Sequence, residues 1–151
     1  MRRHVETGLI LEVVDVDEDY LGVSLVASNG RFCGSIRKIY AEFGELARLA
    51  TDLSGFPASS TDERTFELGG KDISGVTGSA RLEFRAADLL GHAVLMVHIE
   101  TAGWTGVTPG PLPENVAFSV AVDPASVDRF VQELRALEST HSGVARLESP
   151  S

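Results

Sequence analysis

Cysteine is nearly absent from this chain of 151 residues: Cys33 is the only one. A lone thiol excludes an intrachain disulfide framework and any zinc site built on several cysteines. It also fits a reducing compartment, so the expected location is cytoplasmic. Basic side chains are in deficit, 13 against 22 acidic ones, for a formal net charge of −9. That balance argues against nucleic acid as a partner, because such binding draws on excess Lys and Arg to displace counterions from phosphates. Long apolar runs are missing as well. The run Gly8 to Val14 is interrupted by Glu12 and falls far short of the ~20 residues of a membrane-spanning helix, so no membrane association is expected. No small-residue cleavage pattern follows it, and a secretory signal is not expected either. Tryptophan occurs once, as Trp104.

What is present suits one globular domain. Hydrophobic residues make up 43% of the chain, enough for a single core and too many for disorder. The acidity is spread evenly. Residues 1–75 hold 8 basic and 13 acidic groups, residues 76–151 hold 5 and 9, so the two stretches carry −5 and −4. The negative field therefore belongs to the folded domain, with no charged arm or tail. Arginine outnumbers lysine 11 to 2, a mark of GC-rich coding rather than of function.

Periodicity sets the expected elements. Leu9, Leu11 and Val13 alternate as in a strand, and Tyr20 to Ala27 follows as its hairpin partner across the acidic turn Asp15 to Asp19. Ser28-Asn29-Gly30 is a turn, because Asn and Gly tolerate positive φ. Arg31 to Ile36 reads as a third strand. A helix is expected from Ile39 to Leu53, its apolar stripe formed by Phe43, Leu46, Leu49, Ala50 and Leu53. Four strands are expected next: Arg64–Leu68, Ala80–Ala86, Ala93–Ile99 and Val116–Val122. A glycine-rich loop, 69–78, falls among them. Asp123 and Pro124 then stand where the cap and first residue of a helix belong, ahead of Val127, Phe130, Val131, Leu134 and Leu137. The tail has few bulky apolar residues. The expectation is one α+β domain, residues 1–138, in the order βββ-α-ββββ-α. It has a mainly antiparallel sheet of six or seven strands with both helices on one face, and a flexible tail over 139–151. A free sheet edge would leave a homodimer open.

Few residues suggest chemistry. Asp15, Asp17, Glu18 and Asp19 resemble the start of a calcium loop, but the sixth and twelfth positions hold Tyr20 and Val26 where Gly and Glu are needed. The cluster reads as a solvated hairpin tip or as a contact surface for a basic partner. Trp104 reads as a core cap or as a contact residue, since Trp is enriched at interface hot spots. His92, His98, Glu83 and Glu100 lie on one sheet face and could serve small-molecule binding or acid–base catalysis. However, His92 and His98 stand about 20 Å apart along a strand, so they cannot share an ion. Cys33 reads as a packed strand residue. No nucleophile elbow, zinc-protease or P-loop motif occurs, and no catalytic residue, metal or cofactor is assigned.

A set of packing motifs does have a counterpart. Gly30-Arg31-Phe32-Cys33-Gly34 is followed by Tyr40 and the Phe43/Leu46 helix. Arg81-Leu82-Glu83-Phe84 forms one strand and Gly91-His92-Ala93-Val94 opens the next. The last strand ends at Asp123 before the helix of Val127, Phe130 and Leu134. Over residues 8–138 this resembles small actinobacterial α+β families of unknown function and is similar to the WapI-type immunity proteins, which protect a cell from a toxin. The resemblance implies a non-enzymatic, cytoplasmic protein-binding domain whose partner is a basic toxin. The contact residues come from charge rather than from the resemblance: an acidic inhibitor gains steered association with a basic target, and Asp15, Asp17, Glu18, Asp19 and Trp104 are its candidate contacts. The alternative is a ligand-binding or enzymatic domain using the open sheet face around His98 and Glu100.

Overall fold

The computed structural model describes residues 6–69, 78–88, 91–103 and 112–150. The chain is α+β, with strands β1 (Gly8–Val16), β2 (Tyr20–Ser28) and β3 (Cys33–Glu42), then helix α1 (Glu45–Leu53). Strands β4 (Glu63–Gly69), β5 (Ser79–Ala86), β6 (Ala93–Gly103) and β7 (Leu112–Val122) follow. A 3₁₀ turn, Pro124–Ser126, leads into α2 (Val127–Thr140), and β8 (Val144–Glu148) ends the series.

All strand pairs are antiparallel, but they form two sheets rather than one. The orders are β3-β2-β1-β8 and β4-β5-β6-β7, four strands each. The expected single sheet of six or seven strands with helices on one face is corrected accordingly. Instead, the inner faces of both sheets and the apolar faces of both helices meet in one core. Leu9, Leu11 and Leu25 come from the first sheet, Phe84, Leu95 and Val120 from the second, and Leu49 and Phe130 from the helices. Helix α2 lies against β8, while α1 contacts α2, β3 and β4. The physical reason is the break after α1: β4 starts a new hairpin series instead of adding to the edge of β3.

Two boundaries also change. Residues 39–42 continue β3, since Ile39 and Ala41 point inward in alternation while Tyr40 and Glu42 are half-exposed. Helix α1 therefore starts only at Glu45, and Phe43 lies before it, 40% exposed and stacked on His141 at 5.2 Å. The expected flexible tail, 139–151, is replaced by the end of α2 and by strand β8. Ala145 and Leu147 are buried and pair with Leu11 and Leu9. Small as they are, two inward residues in five suffice where β1 already offers a paired edge.

The outer edge of β8 is then sealed. The Arg146 N–H donates to Glu133 Oε1 at 3.0 Å, and the Glu148 N–H to Ser126 Oγ at 3.2 Å. The Glu148 carbonyl accepts the Asp123 N–H at 2.9 Å. Filling an edge with side-chain partners blocks strand addition there. The expected helix start holds locally: Asp123 Oδ1 accepts the Ala125 N–H at 3.0 Å, with Pro124 next in the chain.

Nine-residue α1 is too short to stand alone, and both its ends are held by distant residues. Its N-cap is Gly44 at φ +92, which has no side chain to offer. Glu138 of α2 supplies the acceptor, taking the N–H of Gly44 at 2.8 Å and of Ala47 at 3.3 Å. At the other end Arg64 Nη1 donates to the carbonyls of Asp52 and Ser54 at 2.9 and 2.8 Å. Its remaining nitrogens grip Asp62, Nε to Oδ1 at 3.2 Å and Nη2 to Oδ2 at 2.9 Å. An anion at the start and a cation at the end both match the helix dipole.

Candidate functional site

The β1–β2 hairpin builds the acidic tip. Leu21 and Val23 are buried in the core at one side of the turn, while residues 17–19 of the turn are exposed. The Asp17 N–H donates to the Tyr20 carbonyl at 2.9 Å, closing the turn. A register shift between Val13 and Asp15 bends β1 just before it.

The four acidic residues differ. Asp15 pairs with Lys38 of β3 at 2.7 Å, across the backbone of Gly22. The Lys38 ammonium also lies 5.3 Å from the centre of the Tyr40 ring, and Tyr40 meets the Tyr20 ring edge-on at 6.0 Å. The hydrogen bond from Lys38 holds the Asp15 carboxyl below its ordinary range, and Asp15 raises Lys38 in return. Asp15 is therefore already spoken for within the molecule. Asp17, Glu18 and Asp19 are exposed, and no ion pair or side-chain hydrogen bond engages them among the described residues. Beside them Val14 and Val16 are each 49% exposed. The tip is thus three free carboxylates next to two exposed valines on a braced hairpin.

Sequence reasoning missed Lys38, Val14 and Val16. Lys38 sits 23 positions from Asp15, and only the β2–β3 register brings them together. Val14 falls on the outward side of the β1 alternation, and Val16 ends the strand; both are exposed beside the turn. Trp104 lies outside the described residues, as does the glycine-rich stretch 70–77.

The polar face around β6 is not assembled into a site. Glu83 is held between Arg81 at 3.0 Å and Arg85 at 3.4 Å, and Arg85 also faces Glu63 at 3.7 Å. His98 is exposed and stands opposite Arg81 in the β5–β6 register. Glu100 is exposed beyond it. His92 lies before β6, where Nδ1 is 2.6 Å from Asp88 Oδ2 and the backbone N–H donates to Asp88 Oδ1 at 3.2 Å. Glu83 belongs to these Arg–Glu pairs, His98 stands opposite one of their arginines and His92 is held by Asp88, and no group of three metal-ligating side chains occurs among the described residues. Cys33, expected to be packed, is exposed near the start of β3.

Two of the hollows lined by described residues lie elsewhere. One, of about 220 Å³, lies where β1 begins and β8 ends, and Ile10, Val26, Arg146 and Glu148 are among its lining. Its Arg146 is already 3.9 Å from Glu6. The other, of about 190 Å³, is lined by Ser35, Ile99, Thr101, Glu114, Asn115 and Val116. Neither is lined by Glu83, His92, His98 or Glu100. No helix of the described residues is long and apolar enough to cross a membrane.

No family model, curated protein or solved structure matches this chain.

Proposed function

We propose that this chain is a non-enzymatic, cytoplasmic protein-binding domain that presents its β1–β2 hairpin tip to a basic protein partner. Under the immunity-protein resemblance, that partner is a bacterial toxin. One observation carries the reading: Asp17, Glu18 and Asp19 are free at an exposed turn, beside exposed Val14 and Val16. Apolar contacts ringed by charge are the anatomy of a protein interface. On a chain of net charge −9 the free carboxylates also accelerate encounter with a basic surface. The tip is braced by the Asp15–Lys38 pair, so little ordering is needed on binding.

The test is co-expression with the product of the adjacent gene, followed by kinetics on the purified pair. The reading expects growth rescue and a stable complex. It also expects that Glu18→Lys with Asp19→Lys slows association and flattens its salt dependence, leaving the fold intact. No rescue and no complex would remove that product as the partner. A complex with unchanged association kinetics would remove the tip from the interface. The enzymatic alternative around His98 and Glu100 gains no support from an open face whose carboxylate Glu83 is already paired with Arg81 and Arg85.

A further inference from the structure

Among the described residues, four of the five exposed large hydrophobic ones belong to the β1–β2–β3 meander, and three of those four, Val14, Val16 and Phe32, sit at its two ends. The acidic tip is one end. The other is the turn Asn29–Phe32, about 30 Å away along the nine residues of β2. This second turn is held rigid. Asn29 Oδ1 accepts the N–H of both Arg31 and Phe32 at 2.8 Å, and the Asn29 N–H donates to the Phe32 carbonyl at 3.1 Å. The Gly30 N–H donates to Ser28 Oγ at 3.2 Å, and Asn29 Nδ2 bolts the turn to the Ser119 carbonyl of β7 at 3.0 Å. On this frame Phe32 is 60% exposed, the most exposed large hydrophobic among the described residues, with the Phe118 ring at 6.5 Å beside it. Arg31 beside it is exposed and has no carboxylate partner among the described residues.

The two ends of the meander are complementary: free carboxylates with two valines at one, a free guanidinium with a phenylalanine at the other. Because they lie at opposite ends of one strand, a single molecule cannot bring them together. We propose that copies of this chain associate head to tail, with the Arg31–Phe32 turn of one copy seated on the Asp17–Asp19 tip of the next. Phe32 packs against Val14 and Val16, and Arg31 meets the carboxylates. Seated head to tail, each copy keeps one turn and one tip free for a further copy, so growth continues past two copies unless the rotation between copies closes a ring. Two preformed turns pay little entropy on meeting, but their contact falls below the ~1,200 Å² of a standard interface, so it is weak and concentration-dependent. The proposal is independent of the partner reading, and it has a consequence for it: a tip occupied by another copy is hidden from any basic partner.

Sedimentation velocity on the full chain tests this up to about 1 mM protein. The measurement is made at about 0.15 M salt, where a Debye length of about 8 Å screens whole-molecule repulsion more than a contact pair. The expected result is an average mass that climbs past that of a dimer as concentration rises. Arg31→Glu alone stays monomeric, and so does Glu18→Arg combined with Asp19→Arg. Mixed in equal amounts, those two variants regain the growth, because the reversed turn now fits the reversed tip. Phe32→Ser lowers association in the otherwise unchanged chain. A wild-type chain that is monomeric throughout, a reversed variant that associates by itself like wild type, or a mixture that stays monomeric would each overturn the proposal. None of these outcomes depends on whether a basic partner exists.

Discussion

Glu138 and Gly44 are 94 positions apart, yet the carboxylate of one caps the helix that the other begins, at 2.8 Å. Helix α1 needs an acceptor at its start because its first N–H groups have no partner within the helix. Gly44 supplies only the left-handed turn into it. Glu138 thereby ties the end of α2 to the beginning of α1, and stacking of Phe43 on His141 covers the same junction. Glu138→Ala should cost about 0.5–2 kcal/mol, the range for a lost N-cap acceptor. Glu138→Gln, which keeps an acceptor oxygen, should lose less. Urea unfolding of the three proteins measures this. Equal stability of Glu138→Ala and wild type would show that the cap contributes nothing.

The opposite end of α1 carries a pH dependence. The Arg64 hydrogen bonds, with one from the Ala58 N–H, hold the Asp62 carboxyl below its ordinary range. A carboxyl with a lowered folded-state pKa adds stability that is complete above its unfolded value, about 3.9. That stability is lost as pH falls through the folded-state value. Asp62→Asn should therefore be less stable than wild type at pH 7, and its stability should fall less steeply below about pH 4. Arg64→Ala should flatten the same limb. It should also cost about 1.5–3 kcal/mol at pH 7, as charged hydrogen bonds to the α1 carbonyls are lost. Chemical unfolding from pH 2 to 7 reads both effects. An unchanged acid limb in Asp62→Asn would assign the acid sensitivity to other carboxylates.

Within the acidic tip, Asp15 and its neighbours should separate by experiment. Lys38 owes its raised pKa first to the hydrogen bond with Asp15. Asp15→Asn should lower the Lys38 value in an NMR titration of the lysine side chain, whereas Asp17→Asn should leave it in place. The exposed pair contributes little to global stability, so both variants should unfold with wild type. A Lys38 titration indifferent to Asp15→Asn would mean that the pair does not persist in solution, leaving Asp15 as free as Asp17.

Much of this fold is written in local periodicity. The alternation of Leu9 to Val13, of Ala80 to Ala86 and of Ala93 to Ile99 places those strands. The spacing of Leu46, Leu49, Ala50 and Leu53 and of Val127, Phe130, Val131, Leu134 and Leu137 gives the buried faces of both helices. Pairing is another matter. Whether β4 adds to β3 or starts a second sheet depends on packing across the core, which alternation does not encode. The same holds for the site. Asp15 and Asp17 look alike in sequence, and the difference between them comes from Lys38 two strands away. Strand β8 escaped notice because Ala145 and Leu147 are a thin apolar signal until β1 is known to present an edge to them.

That edge offers the sharpest structural test. Gly8 opens β1 at φ +133, a conformation that side chains rarely adopt, directly opposite Glu148 of β8. A Cβ at this position would run into the Leu147 carbonyl oxygen. Gly8→Ala must then either hold a backbone strained by about 1–3 kcal/mol or shift β8 away from β1. Because Ala145 and Leu147 fill the core beside α2, detachment of β8 would expose that side of the helix as well. The expected outcome is lower global stability, together with faster hydrogen exchange in β8 while β2 amides keep their protection. Full stability with unchanged β8 exchange would mean that the Gly8–Glu148 pairing does not hold the C-terminal strand in place.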